Sequence, residues 1–240
     1  MFGLGTIINS VAIIGGGIAG LFVGKKLEKR YQDTMISACG ICSMFIGISG
    51  TLQQMFTATS NGSISTDGSM MAIICMALGG LIGEFFDFDS KFIQFGEWLK
   101  KKTASEGDNT FVEAFVTASL TVCIGAMAIV GALQDGLLGD YSILAAKAVL
   151  DLIIVMVLAA SMGKGAIFSA IPVFILQGSV TVLAKAVEPI MTDAAMHNLS
   201  LTGNMLIFCV GLNLIFGQKI KVANLLPTIV LAVIWAFLPI

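Results

Sequence analysis

The two residues in this sequence most suited to chemistry are Lys147 and Asp151, which lie in the apolar run AAKAVLDLIIV. Their i, i+4 spacing places both side chains on one face of a helix, one turn apart. In an apolar setting, an ammonium and a carboxylate so placed can form an internal ion pair, bind an anion or exchange a proton. The spacing fits equally well a pair that only neutralises itself near the outer membrane interface, where a lysine extends its amine towards water.

Other polar side chains that could join this pair are spread over several apolar runs. Uncharged amides suit the coordination of small ions or polar solutes, and they suit hydrogen bonds between helices as well. Asp135 precedes Gly136 in ALQDGLLGD, where a tight turn would explain both residues. Pro172 removes a helix hydrogen bond five residues before Gln177, which predicts a break or kink. The candidate substrate- or ion-binding residues are Asn9, Gln134, Asp135, Lys147, Asp151, Gln177, Asn204, Asn213 and Asn224.

The elements that must position these residues are membrane-spanning helices. Of the 240 residues, 57% are hydrophobic and 12% are charged, whereas a soluble domain carries about 25% charged residues. A helix that crosses the bilayer needs about 20 apolar residues, so we expect an all-α, polytopic transmembrane helix bundle of about eight spans in a single domain. The apolar segments are 3–24, 34–52, 69–86, 110–133, 141–162, 165–186, 199–217 and 222–239 of the chain 1–240.

Lysine and arginine follow alternate apolar segments. They come after the first, third, fifth and seventh, beginning with the cluster from Lys25 to Arg30, whereas 53–69 and 134–141 contain neither residue. Cytoplasmic loops carry an excess of Lys and Arg, so we expect the connections after the odd-numbered segments to be cytoplasmic. With eight spans, the N-terminus and the C-terminus then both lie outside. Only Lys185 lies near an outer edge in this arrangement.

The charged stretch after the third segment also has a helical pattern. Its aromatic and leucine residues recur at steps of three and four, with the lysines on other faces, and they are Phe88, Phe92, Phe95, Trp98 and Leu99. This pattern predicts an amphipathic helix over 87–103 that lies in the cytoplasmic membrane interface. A solvent-exposed loop is the alternative.

Glycines in the first apolar segment match a nucleotide-binding motif by chance. Gly15, Gly17 and Gly20 satisfy GxGxxG, but that motif needs a strand before it and a second strand after it, and the chain continues with basic residues and another apolar segment. The better interpretation is helix packing in lipid, where glycines four apart let two backbones approach closely. The packing glycines are Gly16, Gly20 and Gly24 in the first segment, and Gly79 and Gly83 in the third.

Partial internal repeats are also visible. Residues 42–53, CSMFIGISGTLQ, and residues 123–134, CIGAMAIVGALQ, share Cys, Gly, Leu and Gln in one register, and GGLIGEFF echoes GGIAGLFV. Duplicated segments are common in transporters, whose binding sites lie at the interface between repeats.

Several classes of site lack the residues that they require. The five cysteines all lie in apolar runs, and Cys39 and Cys42 form a CxxC with no further ligands at matching spacing. There is one histidine, and neither HExxH nor GxSxG occurs. We therefore expect no catalytic residues, metal or cofactor, and no nucleic-acid partner.

Four blocks of the sequence resemble a known family. GTIINSVAIIGGGIAGLFVGKKL, CIGAMAIVGALQDGLLGDYSIL, AKAVLDLIIVMVLAASMGKGAIFSAIPVFILQGSVTVLA and IKVANLLPTI resemble the DUF554 family of bacterial membrane proteins over nearly the whole chain. The sequence departs from the family's LDG at Leu150-Asp151-Leu152 and from its TLG at Ser161-Met162-Gly163. The resemblance implies a multipass protein of the bacterial inner membrane, and it supplies no activity and no catalytic residues.

The pattern of polar residues favours a secondary transporter for an ion or small polar solute, with its site near Lys147 and Asp151. A passive channel and a non-transport sensor or assembly protein are the alternatives. The expected partners are the lipid bilayer, a small solute or ion, and further copies of the chain. Eight short helices with glycine faces predict a homo-oligomer, with a dimer as the favoured state.

Overall fold

The fold is a bundle of helices. The computed structural model describes residues 3–24, 28–58, 64–103, 110–123 and 126–238. The α-helices are α1 Leu4–Gly24, α2 Lys29–Met55, α3 Ser69–Phe86, α4 Phe88–Lys102, α5 Phe111–Cys123, α6 Ala126–Leu138, α7 Ser142–Met162, α8 Ala170–Val182, α9 Ala184–Val187, α10 Asp193–Phe216 and α11 Pro227–Trp235. Three short 3-10 helices cover Lys164–Ser169, Glu188–Ile190 and Val222–Leu225. The predicted all-α class is confirmed.

A small antiparallel hairpin is the only β-structure within the described ranges. Strand β1, Phe56–Ala58, pairs with strand β2, Ile64–Thr66, in the polar stretch between α2 and α3. The hairpin has three residues in each strand, too few to form a layer of its own. It connects two long helices at one end of the bundle.

Several described helices can cross a bilayer by length and composition. Five are both long and apolar enough, and two shorter apolar helices accompany them, Phe111–Cys123 and Val222–Trp235. The five are Leu4–Gly24, Ser69–Phe86, Ser142–Met162, Lys164–Val182 and Asp193–Phe216. The count of about eight spans stays a prediction.

Some sequence predictions fall partly outside the described residues. The apolar segment 110–133 corresponds to two helices, α5 and α6, and residues 124–125 between them lie outside the described ranges. Those two positions belong to the second copy of the predicted repeat, 123–134. Lys25 and Lys26, which begin the first basic cluster, are outside the described ranges as well.

The most extensive helix contact joins α1 to α7. Three glycines spaced one turn apart on α1 face backbone carbonyls that are also one turn apart on α7. The pairs are Gly16 with Leu152, Gly20 with Met156, and Gly24 with Ala160. Because both numbers rise together, the two helices run parallel. A Cβ atom on any of these glycines would collide with main chain, so glycine sets how closely α1 approaches α7.

Two further close contacts are antiparallel. A Cβ atom on Gly47 of α2 would meet Asn204 and Phe208 of α10. Gly79 of α3 faces Thr228 of α11, and Gly83 faces the carbonyl of Asn224 in the preceding 3-10 helix.

The three glycines that match GxGxxG, Gly15, Gly17 and Gly20, lie inside the unbroken helix α1. The strand, turn and helix that a nucleotide-binding motif requires are therefore absent from this segment.

Two similar segments change from 3-10 to α-helix near a proline. Lys164–Ser169 leads into α8, which has Pro172 as its third residue, and Val222–Leu225 leads into α11, which begins at Pro227. Proline lacks an N–H and is tolerated in the first turn of a helix, where no intrahelical acceptor is available. Pro172 therefore marks the beginning of α8 rather than a kink inside it.

Helix α4 occupies the range predicted for an interfacial helix. The side chain of Asp87 caps it by accepting from the backbone N–H of Ser90 at 3.4 Å, and this bond lowers the pKa of Asp87. Leu99 is 4% exposed and packs in the core, whereas Trp98 is 52% exposed. The membrane side of α4 stays a prediction.

Candidate functional site

The side chains of Lys147 and Asp151 form a buried ion pair on α7. Nζ of Lys147 lies 2.7 Å from Oδ1 and 2.6 Å from Oδ2 of Asp151, and the two residues are 7% and 3% exposed. The backbone carbonyl oxygen of Val122 is a third acceptor, 2.8 Å from Nζ. Since an ammonium group has three N–H donors, Lys147 finds all of its acceptors within the protein.

The carbonyl of Val122 can accept this bond because α5 ends one residue later, at Cys123. The last carbonyls of an α-helix have no intrahelical partner, and the negative end of the helix dipole attracts a cation. Lys147 thus donates to a carbonyl at the C-terminal end of α5 and neutralises the carboxylate of Asp151 at the same time.

Two amides extend the ion pair to α1 and α8. Nδ2 of Asn9 donates to Oδ2 of Asp151 at 3.0 Å and to Oε1 of Gln177 at 3.2 Å. Asn9 is 0% exposed and Gln177 is 1% exposed. We call Asn9, Lys147, Asp151 and Gln177 the polar cluster.

The polar cluster contains two buried atoms without a hydrogen-bond partner among the described residues. They are Oδ1 of Asn9 and Nε2 of Gln177, so one acceptor and one donor remain open. The orientation of the Asn9 amide is fixed by its bond to a carboxylate oxygen, which requires the NH₂ group on that side. The open oxygen and the open nitrogen are therefore features of the site and are not exchanged by turning the amides over.

A second set of polar groups lies one helical turn towards the N-terminus of α1. Thr6 and Thr181 approach each other with their hydroxyl oxygens 3.4 Å apart. Asp135, which is 0% exposed, accepts from the backbone N–H of Gly5 through Oδ2 at 2.9 Å. Its Oδ1 has no partner in the described part of the chain. We call Thr6, Asp135 and Thr181 the threonine layer.

On the opposite side, the polar cluster meets hydrocarbon. Ile13, Val155 and Val173 are each 0% exposed and belong to one core cluster. Each lies four residues from a member of the polar cluster on the same helix, and these members are Asn9, Asp151 and Gln177. We call Ile13, Val155 and Val173 the apolar layer. The site is therefore polar towards one end of the bundle and closed by side chains towards the other.

Beyond the apolar layer, two cavities of about 270 Å³ each lie between α2, α5, α7 and α10. One is lined mainly by apolar residues such as Ile154 and Leu158. The other is polar, and its lining includes Asp33, Glu113 and Thr117. Both cavities reach Leu214, so an apolar stretch separates the polar cavity from the polar cluster.

The remaining amides among the candidate residues have other partners. Oδ1 of Asn213 accepts from the backbone N–H groups of Lys219 and Ile220 at 3.0 and 2.9 Å, which fixes the turn after α10. Asn224 accepts from the backbone N–H of Asp89 and donates to Glu84, at 2.7 Å each. Glu84 also pairs with Lys221, whose pKa is raised by that hydrogen bond.

The structure thus divides the candidate residues. Asn9, Lys147, Asp151 and Gln177 come together, and Asp135 is one turn away. Gln134 is half-buried beside Asp135, and the half-buried Asn204 lies against Gly50 of α2. Asn204, Asn213 and Asn224 belong to the contacts of α2, α3, α4 and α10, away from the polar cluster.

Some residues of the site were not identified from the sequence. Thr6 lies three residues before Asn9, and Thr181 lies four residues after Gln177. Both therefore share a helix face with a candidate amide, and this spacing is a signal that a sequence could have provided. The carbonyl of Val122 left no such signal, because its role depends on where α5 ends.

Within the described residues, no three His, Cys, Asp or Glu side chains come together as a metal site.

The sequence resembles known proteins over almost its full length. Residues 4–237 match the model of DUF554, described as a protein of unknown function. The chain is 30% identical to the uncharacterised membrane protein YdfK of Bacillus subtilis (strain 168) over 227 residues, 95% of this chain and 93% of that protein. It is 29% identical to the uncharacterised protein YqgA of Escherichia coli (strain K12) over 234 residues, 95% of this chain and 94% of that protein. No solved structure matches with significance. The chain belongs to the DUF554 family of proteins of unknown function.

Proposed function

We propose that the protein is a secondary transporter of an ion or a small polar solute in the bacterial cytoplasmic membrane. The observation that carries the proposal is the polar cluster, in which a buried ion pair is accompanied by an open amide oxygen and an open amide nitrogen. A buried polar group without a partner costs about 1–3 kcal/mol. A purely structural ion pair needs no such groups, whereas a polar solute or ion would bind to them.

The distribution of polar groups around the cluster supports access from one side at a time. The threonine layer offers hydroxyl and carboxyl oxygens on the side of the α1 N-terminus, and the apolar layer closes the other side. A transporter exposes its site alternately to the two sides of the membrane and keeps a barrier between them. The apolar layer is such a barrier.

Relative helix directions support about eight crossings, an even number that places both termini on the same side, and the positions of the basic residues favour the outside. Helices α1 and α7 are parallel, whereas α2 with α10 and α3 with α11 are antiparallel. A chain that alternates direction at each of the eight predicted segments gives all three relations. The polar cavity with Asp33 and Glu113 then lies on the cytoplasmic side.

The proposed homo-oligomer receives little support from the glycines. Gly16, Gly20 and Gly24 are used against α7, and Gly79 and Gly83 against the α11 segment of the same chain. A dimer would have to use other exposed apolar surface, which lipid covers equally well. The mass of the protein in lipid nanodiscs, measured by mass photometry, tests this part of the proposal.

Transport is tested with purified protein in proteoliposomes. Charge displacement and radiotracer uptake are measured for alkali cations, halides and small carboxylates, in wild type, Lys147→Met and Asp151→Asn. The matched control is Lys221→Met, which breaks an ion pair with a side chain 56% exposed at the bundle end. We expect saturable flux of one class that is lost in both site variants and kept in the control. Equal flux in all proteins would overturn the proposed site, and non-saturating unitary currents would identify a channel.

A further inference from the structure

The charges of the polar cluster are already balanced within the protein. Nζ of Lys147 lies 2.6–2.8 Å from both carboxylate oxygens of Asp151 and from the carbonyl oxygen of Val122, which uses its three N–H groups. Oδ2 of Asp151 also accepts from Asn9. A charged ligand would have to separate this pair or bury a further charge without a counter-ion, and both are unfavourable inside a bilayer. The cluster therefore favours an uncharged ligand.

The hydrogen-bonding groups that remain open are one acceptor and one donor. They are Oδ1 of Asn9 and Nε2 of Gln177, and the two amides that carry them are in direct contact through a 3.2 Å hydrogen bond. A metal cation offers no acceptor to Nε2, and an ionised carboxylate offers no donor to Oδ1. A protonated carboxyl group has one O–H donor beside a carbonyl acceptor, which matches both open atoms.

A carboxamide has a similar pair of groups, but it carries a second N–H that would need a further acceptor. The count of open atoms in the polar cluster therefore fits a protonated carboxyl group better than an amide.

Room for a small group is present between α1 and α8, next to Gln177. A Cβ atom on Gly17 of α1 would lie 2.5 Å from Cγ1 and 3.3 Å from Cα of Ile167, so the two segments are in tight contact there. A Cβ atom on the half-buried Gly178 would have one described neighbour, Cγ2 of Thr6, at 4.0 Å. The space thus widens from Gly17 towards the threonine layer, on the side of the α1 N-terminus.

We propose that the polar cluster binds small carboxylic acids in their uncharged, protonated form. Nε2 of Gln177 donates to the carbonyl oxygen of the acid, and Oδ1 of Asn9 accepts from its O–H. This inference rests on the proposed transport function and names its substrate class. The ion pair positions the site, because the bond from Asn9 to Asp151 holds the NH₂ group on the side of the carboxylate and leaves Oδ1 for the ligand.

Transport of such a ligand carries a proton with it. A carboxylate takes up one proton from water on the side to which the site is open, and this forms the O–H bond of the acid. The same bond breaks after release, and the proton enters the water on the other side. One carboxylate and one proton cross together, so no net charge moves and no residue of the protein changes its protonation state.

The titratable groups near the site could produce a pH dependence of their own. Lys147 and Asp151 lie on α7, Asp135 lies one turn outward on α6, and the thiol of Cys123 on α5 is within electrostatic reach of the ion pair. Helices α1 and α8 contain no titratable side chain. Acetamide is therefore the control for acetate, because it has a similar shape and is uncharged at every pH.

Binding is tested on the full chain in detergent between pH 5 and 7.5. The readout is thermal stabilisation by sodium acetate, acetamide or methyl acetate, relative to sodium chloride at the same pH. Binding of the protonated acid predicts that the apparent affinity for total acetate falls by about tenfold per pH unit above the pKa of the acid. Acetamide should bind weakly and equally at every pH, and methyl acetate, which has no donor, should not bind.

Three results of this measurement overturn the proposal. They are an affinity for acetate that does not change with pH, an affinity for acetamide that falls with pH as that for acetate does, and the absence of stabilisation by acetate at every pH. In the last case, the open atoms hold at most a structural water.

Variants assign the binding to the two open amides. Gln177→Met removes the open donor and should weaken acetate binding by about tenfold. Gly178→Leu fills the space beside Gln177 and should abolish binding, whereas Gly178→Ala should keep most of it. Asn198→Ala changes an amide of α10 that bonds to the carbonyl of Ala232 and serves as the control. Wild-type affinity in Gln177→Met or in Gly178→Leu overturns the proposal, and Gln177→Met decides if Gly178→Leu is not obtained folded.

Flux separates this inference from the proposed function. Radiolabelled glycolate is the probe in proteoliposomes, because its hydroxyl slows passive crossing of the lipid, and protein-free liposomes and Gln177→Met give the background. Uptake by wild type should acidify the interior at a rate that a potassium diffusion potential does not alter. Saturable flux of an alkali cation or halide that needs Asp151, without acid binding, overturns this inference and keeps the transporter. Acid binding with glycolate uptake at the background rate overturns the transporter and keeps the ligand.

Discussion

Asn9 on α1 donates a hydrogen bond to Asp151 on α7 at 3.0 Å, although 142 residues separate the two in the sequence. The bond is possible because α1 lies directly on the backbone of α7, with Gly16 against the carbonyl of Leu152 two turns further on. The glycine contact and the polar cluster are therefore one structural unit. Any change that moves α1 away from α7 also opens the site.

The ion pair predicts a difference between single and double variants. Lys147→Met leaves a buried carboxylate without its counter-ion, which should cost about 3–5 kcal/mol of unfolding free energy. Lys147→Met/Asp151→Leu removes both charges and should recover most of this loss while abolishing flux. Unfolding is measured in detergent with choline as the only added cation.

The same experiment has two results that contradict this account. Equal stability of wild type and Lys147→Met would mean that the pair is not buried in the folded protein. Full flux in the double variant would mean that the pair has only a structural role.

Adjacent glycines on α1 provide a matched pair of substitutions. A Cβ atom on Gly16 would collide with the carbonyl of Leu152, whereas one on Gly15 meets nothing within 4 Å. Gly16→Ala should therefore destabilise the protein by about 1–3 kcal/mol and reduce flux. Gly15→Ala should be neutral or stabilise α1 by about 0.5–1 kcal/mol.

The two variants are compared by thermal unfolding and by flux in the same preparation. If Gly16→Ala has the stability and flux of Gly15→Ala, the close contact of α1 with α7 is not needed for the site. A loss in both variants would indicate a general sensitivity of α1 to added side chains.

Much of the fold follows from local sequence patterns. Length and apolarity predict α1 at 3–24 and α3 at 69–86, and the helices run over Leu4–Gly24 and Ser69–Phe86. The i, i+4 spacing is enough to place Lys147 and Asp151 side by side. These features depend on residues within one helix, and so a single sequence contains them.

The rest of the site depends on contacts that no local pattern contains. Asn9 and Asn213 look equivalent in the sequence, since each is an amide within an apolar run. Asn9 meets Asp151 across the α1–α7 contact, whereas Asn213 accepts from the backbone of the turn after its own helix. Which amide does which depends on the packing partner of each helix, and the same is true of the carbonyl of Val122.

Membrane orientation is open to a labelling experiment. The five native cysteines are first replaced by alanine, and single cysteines are then introduced as Ile64→Cys in β2 and Lys219→Cys after α10, both exposed positions. We expect an impermeant maleimide to label Ile64→Cys in intact spheroplasts and Lys219→Cys only after permeabilisation. The reverse pattern would invert the proposed topology, and labelling of both in intact spheroplasts would exclude the odd number of crossings that the proposed topology places between them.

The apolar layer gives the sharpest distinction between a transporter and a channel. Val155 is 0% exposed and lies one turn from Asp151, whereas Val149 on the same helix is 60% exposed. Val155→Ser places a hydroxyl in the proposed barrier between the polar cluster and the two cavities, so water and ions should leak through. The identical change at Val149 faces away from the core and serves as the control. In proteoliposomes with a pH gradient, Val155→Ser should dissipate the gradient several times faster than wild type without any added solute, and Val149→Ser should not.

If wild type already leaks at the rate of Val155→Ser, the apolar layer is not a barrier and the protein conducts passively. If the pH gradient decays no faster in Val155→Ser than in wild type while solute flux is normal, the path of the solute does not pass between α1, α7 and α8.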